Sequence, residues 1–482
     1  MTLATLDRRQ VSRWQWRAVW LLVVLGLVLR LAMARGALWL DEAWSVVLVR
    51  QVKPFIGVLA QIHHDNNHPL NSWWIQLVGP GAPVLALRGL SIACSTLTIP
   101  IAARFAGRRG GGYGAAAAAL FAFSPMLVLV GSEARGYAAA LLAEAWLIDR
   151  LDPERQGEAP SPLVLATAGL LGTLAHLLFF PTLLLIAAWQ VAVRDPEESL
   201  RGRLGRTVDR LAPALIASFT VVIIVVGAAY AVQGGMTLGS AAPFTFAGWA
   251  GGVSEAAGLS LGTIWLALPL LALLLATPRP SRADWTLWLL VGLGLPFGAL
   301  LMRPPNAEIA RYYLPSAFAL LALAAIRCTT HRIGWLVLAS IAATMLWRDC
   351  ALIEAQRSEP DLPVRILAAQ QGRPGAIILA SSRLSAPIEL AAERMGMRLR
   401  MATACIPADY LLGDREWGAA AKREVQYCGA VWRLLATRPA SYRDGAGWAL
   451  YRRSGLQAPK PVANAPRRAA DRAQARAGVA QG

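Results

Sequence analysis

Apolar residues run along most of the chain in blocks long enough to cross a bilayer, and short polar segments separate them. A transmembrane helix needs about 20 apolar residues, because the hydrocarbon core is about 30 Å thick. The blocks lie near residues 17–35, 83–106, 113–131, 134–150, 163–177, 178–193, 211–233, 259–277, 285–302, 311–327 and 333–348. The pattern predicts an all-α polytopic membrane protein with about eleven helical spans. The two blocks that meet near His176 are short, and a single span in their place would invert every later segment.

Composition supports this class. Of 482 residues, 56% are hydrophobic and 16% are charged, which is too apolar for an ordinary soluble enzyme. The net charge of +18 would suit nucleic acid, but the arginines occur in short clusters between apolar blocks. Cytoplasmic loops of membrane proteins carry such clusters. We therefore expect membrane lipid and no nucleic acid as a partner, with the N-terminus in the cytoplasm and the C-terminus outside.

The pattern changes after residue 349. Four short apolar runs, "GAIILASS", "MRLRMATA", "AVWRLLAT" and "GWALYRR", predict strands separated by helical or turn-rich segments. The sequence thus predicts a transmembrane domain over 1–349, a small extracytoplasmic α/β domain over 350–455 and a disordered tail over 456–482. Cys405 and Cys428 both fall in the outer domain, where an oxidising compartment would allow a disulfide.

The first outer loop, 36–82, begins with two adjacent carboxylates in "LWLDEAWS", Asp41 and Glu42. An interfacial acid that ends a helix would explain either residue taken alone. The loop continues with "QIHHDNNHPLNSWW", a density of polar groups that two spans do not need for their connection. A divalent metal on His63, His64, Asp65 and His68 is one alternative, although adjacent histidines do not share a helix or strand face. We expect no metal there.

Positive side chains lie near the same predicted membrane surface. "GSEARGYAAALL" places Glu133, Arg135 and Tyr137 between two blocks, and an arginine fork binds phosphate well. An arginine that only reaches for lipid headgroups is the simpler alternative. Ionisable groups at span ends are functional candidates by default, and the others here are Arg88, His176, Arg311 and Tyr312. Carboxylates for base chemistry and arginines for phosphate together suit a lipid-linked phosphate ester.

In order and spacing, six motifs resemble the glycosyltransferase-C (GT-C) superfamily: "LWLDEAWS", "DNNHPLNSWW", "LRGLS", "SEARGYAAALL", "TLAHLLFF" and "ARYYLPSAFALLAL". The branch that they most resemble holds bacterial lipid-phosphate-sugar transferases similar to protein O-mannosyltransferases and aminoarabinose transferases. The resemblance covers residues 10–348. It implies a multi-helix membrane fold in the bacterial cytoplasmic membrane, a polyprenyl-phosphate-linked sugar as donor, and a lipid, glycan or protein acceptor outside.

The resemblance also implies roles. Asp41 becomes the general base that deprotonates the acceptor hydroxyl, and Glu42 supports it or orients the acceptor. Arg135 becomes the residue that neutralises the leaving phosphate, with Arg311 and Arg88 as weaker candidates. Direct displacement with inversion is the expected course. The residues expected to shape the substrate pocket are Asp65, Asn67, His68, Glu133, Tyr137, His176 and Tyr312. The family pattern usually has His-Pro-Pro-Leu and an aromatic where this chain has "NHPLNSWW", so the sugar is not identified.

Three other functions fit less well. A transporter or flippase would place polar groups near the bilayer midplane, often in an internal repeat, and no repeat is evident. A non-catalytic assembly subunit would not need Asp41, Glu42 and Arg135. An O-antigen ligase or polymerase generally uses a later outer loop, whereas residues 234–258 contain only Glu255 as an ionisable group.

Overall fold

The computed structural model describes residues 13–155, 159–239, 241–276, 281–355, 360–369, 377–415, 420–439 and 447–455. The chain forms two compact units: Met1–Arg35 with Ser45–Gln356, and Gly36–Trp44 with Arg357–Gly482. The segment that carries Asp41 and Glu42 thus groups with the C-terminal unit, whereas the sequence had assigned it to the transmembrane domain. The predicted tail, 456–482, lies outside the described residues.

Helices build the first unit. They are α1 Arg13–Met33, α2 Leu40–Arg50, α3 Ile56–Ala60, α4 Pro69–Val78, α5 Val84–Leu87, α6 Gly89–Gly107, α7 Tyr113–Phe123, α8 Pro125–Val130, α9 Tyr137–Leu151, α10 Pro162–Ala175, α11 Phe179–Val193, α12 Leu200–Gln233, α13 Phe246–Leu261, α14 Ala267–Ala276, α15 Arg282–Leu287, α16 Gly294–Met302, α17 Leu314–Thr329 and α18 Arg332–Ala355, with α2 continuing from the second unit. Local signals set several starts: Pro69, Pro125 and Pro162 open helices, and Ser199 caps α12 by accepting from the Gly202 N–H at 3.2 Å.

The protein is a multi-pass membrane protein, but the count of about eleven spans is not confirmed. Among the described residues, six helices are long and apolar enough to cross a membrane, or seven if one bent pair counts as a span. Three shorter apolar helices are α7, α10 and α11. The blocks predicted on either side of His176 are indeed two helices, since a turn of three residues separates α10 from α11.

The stretch 234–258, predicted as an outer loop, contains most of helix α13. Its glycine- and alanine-rich sequence is interrupted by Ser254 and Glu255, so it did not form a continuous apolar block. α13 ends at Gly262, which has a φ of 85°, and an added Cβ there would lie 2.8 Å from the Met345 nitrogen. The chain then turns by 78° into α14, so the predicted block 259–277 is the second half of a bent pair.

A buried arginine compensates for the break between α7 and α8. Pro125 has no N–H, so the Phe121 carbonyl one turn earlier loses its helical partner. Arg30 on α1 is fully buried and donates to that carbonyl at 3.0 Å and to the Ala122 carbonyl at 3.2 Å. It also donates to Ser95 Oγ at 2.7 Å. The guanidinium therefore satisfies backbone groups that lipid could not.

Ion pairs join the C-terminal ends of α6 and α9 to the first turn of α15. The network consists of Arg104, Arg108, Arg109, Asp149, Asp152 and Asp284. Arg108 lies 2.7 Å from Asp152, and Arg109 lies 2.5 Å from Asp284. Arg109 also lies over the Phe105 ring at 3.9 Å. Arg108 and Arg109 are therefore largely buried in these pairs.

The C-terminal unit is α/β, as predicted. Its helices are α19 Asp361–Ala369 and α20 Ser382–Arg394, and its strands are β1 Ile377–Ala380, β2 Arg400–Ala402, β3 Tyr410–Arg415, β4 Glu424–Tyr427, β5 Ala430–Arg438 and β6 Gly447–Arg453. They form one mixed sheet in the order β2-β1-β3-β6-β5-β4, with β1 parallel to both neighbours and the other pairs antiparallel. Trp39 and Leu40 pack in its core with residues such as Ile388 and Leu450.

The four predicted strand runs coincide with β1, β2, β5 and β6, whereas the sequence had not indicated β3 and β4. β4 and β5 are joined by the two residues Cys428 and Gly429, both with positive φ (49° and 70°), as in a type I′ hairpin turn. A disulfide joins Cys428 to Cys405, with their Cα atoms 5.5 Å apart.

Candidate active site

The turn between α8 and α9 is held by two buried polar side chains from neighbouring helices. Asn71 on α4 donates from Nδ2 to the Ala134 carbonyl at 2.7 Å. Ser91 on α6 donates from Oγ to the Arg135 carbonyl, also at 2.7 Å. Within the turn, the Arg135 N–H donates to the carbonyl of Glu133 at 2.8 Å, and the side chain of Glu133 is 5% exposed. The backbone that carries Arg135 is thus fixed before any ligand binds.

Gly136 lets the end of α10 approach this turn. A Cβ added at Gly136 would lie 1.7 Å from the carbonyl oxygen of Ala175 and 3.0 Å from the Cβ of His68. Backbone cannot yield at such a distance, so only glycine fits. The close approach places His68, at the start of α4, and His176, just after α10, beside the first turn of α9.

Three rings from these three elements form a cluster. The ring centroids of His68 and His176 are 4.6 Å apart, those of Tyr137 and His176 are 4.4 Å apart, and those of His68 and Tyr137 are 5.4 Å apart. His68 and Tyr137 are buried, and His176 is largely covered by its neighbours. Three residues that the sequence singled out separately therefore share one site.

Two arginines flank the tyrosine of this cluster. The guanidinium carbon of Arg135 lies 5.7 Å from the Tyr137 ring centroid, and that of Arg311 lies 5.9 Å from it. Arg135 is 4% exposed, so its charge is removed from bulk water. Two guanidinium groups over one aromatic ring make a positive site that suits a phosphate or another anion.

The two histidines are held neutral by this surrounding. Burial is the main reason that the pKa of His68 is well below its usual 6.5, and the charges of Arg135 and Arg311 add to the effect. His176 lies in the turn between α10 and α11, and burial together with the same arginines lowers its pKa to about 3. Near neutral pH, both imidazoles therefore act as uncharged polar groups beside the arginines.

Arg135 is joined to the first outer loop through Asn66, a residue that the sequence did not single out. Arg135 Nη1 donates to Asn66 Oδ1 in a very short hydrogen bond. Asn66 Nδ2 donates to Ser45 Oγ on α2 at 3.0 Å. Within "HHDNNH" nothing in the sequence distinguishes Asn66 from Asn67, so Asn66 could not be chosen as a site residue from the sequence alone.

The neighbouring Asn67, a predicted pocket residue, instead bonds within the loop. Its Nδ2 donates to the Val58 carbonyl at 2.7 Å and to the Ile62 carbonyl at 3.2 Å, and its Oδ1 accepts from Ser72 Oγ at 3.0 Å. These contacts favour a role in shaping the loop.

Asp65 ties the same loop to the segment after α12. Its N–H donates to the Thr237 carbonyl at 2.9 Å, and its Oδ1 accepts from the Gly239 N–H at 3.1 Å. Tyr312, in the short 3₁₀-helix Ala310–Tyr313, lies within electrostatic range of Asp65, Arg311 and Arg135. The contacts of Asp65 thus join the first outer loop to the segment that follows α12.

Two further candidates contact backbone groups. Arg88 is 2% exposed and donates to the Ala34 carbonyl at 2.7 Å, which secures the end of α1. Glu42 is fully buried, and its Oε2 accepts from the Trp39 N–H at 3.1 Å. Glu42 therefore caps its own helix in the manner of a capping box. Asp41, in the same first turn of α2, is partly exposed.

Tyr137, His176 and Arg311 also line a small pocket. The other lining residues are mostly apolar: Ala140, Leu141, Leu178, Phe179, Thr182, Leu314 and Pro315. Glu144, two turns after Tyr137 on α9, lines it as well and is 1% exposed. Its Oε1 has no hydrogen-bond partner among the residues that the structure describes. The pocket therefore combines a cationic end with apolar walls and one buried carboxyl.

For metal binding, the described part of the chain contains no group of three His, Cys, Asp or Glu side chains placed to hold an ion. In the first outer loop, His64 Nδ1 lies 2.7 Å from Asp65 Oδ1 and accepts from the Asn66 N–H at 3.0 Å. His64 and Asp65 thus contact each other and the loop backbone.

No family model and no curated protein matches the sequence. Among solved structures, the chain is similar to ArnT from Cupriavidus metallidurans in the apo state, with a TM-score of 0.54 and 12% identity over 90% of this chain and 97% of that one. It is also similar to ArnT bound to undecaprenyl phosphate, with a TM-score of 0.51 and 12% identity over 93% and 100% of the two chains. The chain therefore shares its overall fold with these ArnT structures.

Proposed function

We propose that the protein is an integral membrane glycosyltransferase that moves a sugar from a polyprenyl-phosphate donor to a lipid, glycan or protein acceptor outside the cytoplasm. The observation that carries this proposal is that Arg135 and Arg311 both lie within 6 Å of the ring of Tyr137, and that Tyr137 and Arg311 line a mostly apolar pocket. A phosphate attached to an isoprenoid chain has the same division between an anionic head and an apolar body.

The structural neighbour supports the choice of carrier. ArnT from Cupriavidus metallidurans, whose fold this chain shares, has been solved with undecaprenyl phosphate. In this chain, Arg135 and Arg311 would hold the phosphate diester and neutralise the charge that develops when the sugar leaves it. Neutral His68 and His176 would add uncharged hydrogen-bonding groups without repelling a cationic transition state.

Asp41 is the proposed general base. The acceptor oxygen forms a bond to the anomeric carbon as the bond to the phosphate oxygen breaks, and the acceptor proton moves to the carboxylate of Asp41. Polyprenyl phosphate leaves with the bonding electron pair. A base in this role typically contributes about 10² to 10⁴ in rate. Asp41 precedes Ser45 by one turn on the continuous helix α2, and Ser45 accepts from Asn66, the partner of Arg135.

The proposed location is the outer face of the bacterial cytoplasmic membrane. The disulfide between Cys405 and Cys428 suits a C-terminal unit in an oxidising compartment. The positive-inside pattern of arginine clusters places 36–82 on the same side. The C-terminal unit would then contribute to acceptor recognition.

The test is transfer by the purified protein in lipid. Radiolabelled polyprenyl-phosphate sugars and a membrane-glycan extract are supplied to the wild type, to Asp41→Asn and to a control, Asp361→Asn. The control also removes a carboxylate from the first turn of a helix, α19, where it pairs with Arg365.

We expect transfer by the wild type and the control, and a loss of at least about 100-fold in Asp41→Asn with donor binding retained. Unchanged transfer in Asp41→Asn would remove it as the base. Absence of transfer by the wild type over a broad donor panel would favour the transporter or assembly functions.

A further inference from the structure

Asn66 lies between the helix that carries the proposed base and the arginine that faces the proposed phosphate. It is 7% exposed, and both ends of its amide are engaged. Nδ2 donates to Ser45 Oγ on α2 at 3.0 Å, and Oδ1 accepts from Arg135. The backbone N–H of Asn66 donates to His64 Nδ1 at 3.0 Å, so its backbone is held as well as its side chain. A single side chain thus spans two elements that are distant in sequence.

The chemistry of the partners settles the orientation of this amide. A guanidinium has only donors, so the oxygen of the amide must face Arg135. The amide nitrogen is then left to donate to the Ser45 hydroxyl, which can accept. Among uncharged side chains of this length, only that of asparagine carries a separate acceptor oxygen and donor nitrogen. The position therefore requires both functions of asparagine together.

We propose that Asn66 is a positioning residue that holds the Arg135 guanidinium in register with Ser45 on α2, so that the cation is oriented for the donor phosphate before the donor binds. This inference rests on the proposed function. Ser45, Asn66 and Arg135 all belong to the first unit, and they form one hydrogen-bonded chain from α2 to the turn before α9.

The variant Asn66→Asp distinguishes a role in positioning Arg135 from a role in filling space. Asn66→Asp has the same shape and can still accept from Arg135. It brings a negative charge to the guanidinium that would compete with phosphate, and it removes the donor to Ser45. Asn66→Ala removes both contacts and leaves Arg135 without this restraint. We expect both variants to weaken phosphate binding, the aspartate more strongly.

The experiment measures the affinity of the full-length protein in lipid nanodiscs for polyprenyl phosphate, and for unphosphorylated polyprenol as the reference ligand. The matched control is Gln190→Ala. Gln190 is 3% exposed, and its amide likewise joins an arginine and a second partner, accepting from Arg210 at 3.4 Å and donating to the Leu151 carbonyl at 3.1 Å. Melting temperatures are recorded for every variant.

We expect the affinity for polyprenyl phosphate to fall about tenfold in Asn66→Ala and further in Asn66→Asp, with polyprenol affinity unchanged. Gln190→Ala should change the melting temperature alone. Ser45→Ala should lower the affinity for polyprenyl phosphate less than Asn66→Ala does, because Arg135 keeps its contact with Asn66. A purely structural residue would change phosphate and polyprenol affinity together.

Wild-type affinity in Asn66→Asp, alongside lost affinity in Arg135→Gln, would overturn the positioning role and leave the proposed function intact. Failure of both Asn66 variants to fold would assign the residue to folding and reject the positioning role. No phosphate-dependent affinity in the wild type would overturn the proposed function and this inference with it.

Discussion

The imidazole of His176 lies 4.4 Å from the phenol ring of Tyr137, with their planes inclined by 42°. One residue follows α10 and the other begins α9, and both line the pocket that Arg311 also lines. The guanidinium carbons of Arg135 and Arg311 lie 5.7 and 5.9 Å from the centroid of the tyrosine ring. The cationic site is therefore built around this ring.

The ring of Tyr137 should therefore matter more than its hydroxyl. Tyr137→Phe keeps both arginine contacts and should hold the affinity for polyprenyl phosphate within about threefold of the wild type. Tyr137→Ala removes both cation–π contacts and leaves a cavity, so the affinity should fall about tenfold or more. Equilibrium binding in nanodiscs checks this, and equal affinity in Tyr137→Ala would show that the ring does not organise the arginines.

Protein stability should depend on pH through His68. The folded protein keeps this ring neutral because burial lowers its pKa well below 6.5, whereas the unfolded chain takes up a proton as the pH falls through 6.5. This group therefore costs no stability above pH 6.5, and the free energy of unfolding should fall progressively as the pH drops below 6.5.

Thermal unfolding of the wild type and His68→Asn between pH 7.5 and 5 tests this dependence. The variant should have a lower melting temperature at pH 7.5 and a shallower decline toward pH 5. Parallel curves for the two proteins would contradict a neutral buried His68.

Gly136 should tolerate no side chain. In Gly136→Ala the new methyl would lie 1.7 Å from the Ala175 carbonyl oxygen, so the turn that carries Arg135 must move. We expect a loss of at least 3 kcal/mol in stability or no folded protein at all, of order the largest single-substitution effects. The control is Gly81→Ala, since a Cβ at Gly81 meets no atom within 4 Å. Size-exclusion profiles and melting temperatures compare the two, and similar behaviour would contradict the close approach.

Arg30 should be a determinant of stability. Arg30→Met leaves the Phe121 and Ala122 carbonyls without their donor and removes the cation within electrostatic range of Asp349. We expect a loss of about 3–5 kcal/mol. Arg35→Met is the matched control, because exposed Arg35 also donates to a carbonyl, that of Ala32 at 3.1 Å, and should change stability by less than about 0.5 kcal/mol. Unfolding in detergent measures both, and a small effect of Arg30→Met would contradict its role at the helix break.

Sequence patterns predicted the helices well where apolar blocks were long, because burial in lipid imposes the pattern on each residue. They missed α13, whose glycine- and alanine-rich sequence packs closely instead of presenting a continuous apolar block. They also missed β3 and β4. β4 is a short strand at the edge of the sheet formed by the described residues, where it pairs with β5, so neither of its faces needed a regular apolar pattern.

The candidate site was predicted in part. His68, Arg135, Tyr137, His176 and Arg311 were each chosen from motifs at span ends, and the structure brings all five together. Asn66 was missed because its significance depends on partners 21 and 69 positions away in the chain. The packing of Gly36–Trp44 with the C-terminal unit was also beyond local pattern, since Trp39 finds its neighbours more than three hundred residues later.

We claim that Arg135 and Arg311 form the site for the phosphate of the lipid carrier. The most direct measurement is the affinity for polyprenyl phosphate of the wild type, Arg135→Gln, Arg311→Gln and Arg348→Gln, a control whose arginine pairs with Glu255 at 3.0 Å. We predict losses of at least about tenfold for each of the first two variants, because a charge-assisted contact is worth about 1.5–3 kcal/mol, and none for the control. Equal affinity in all four proteins would contradict the claim.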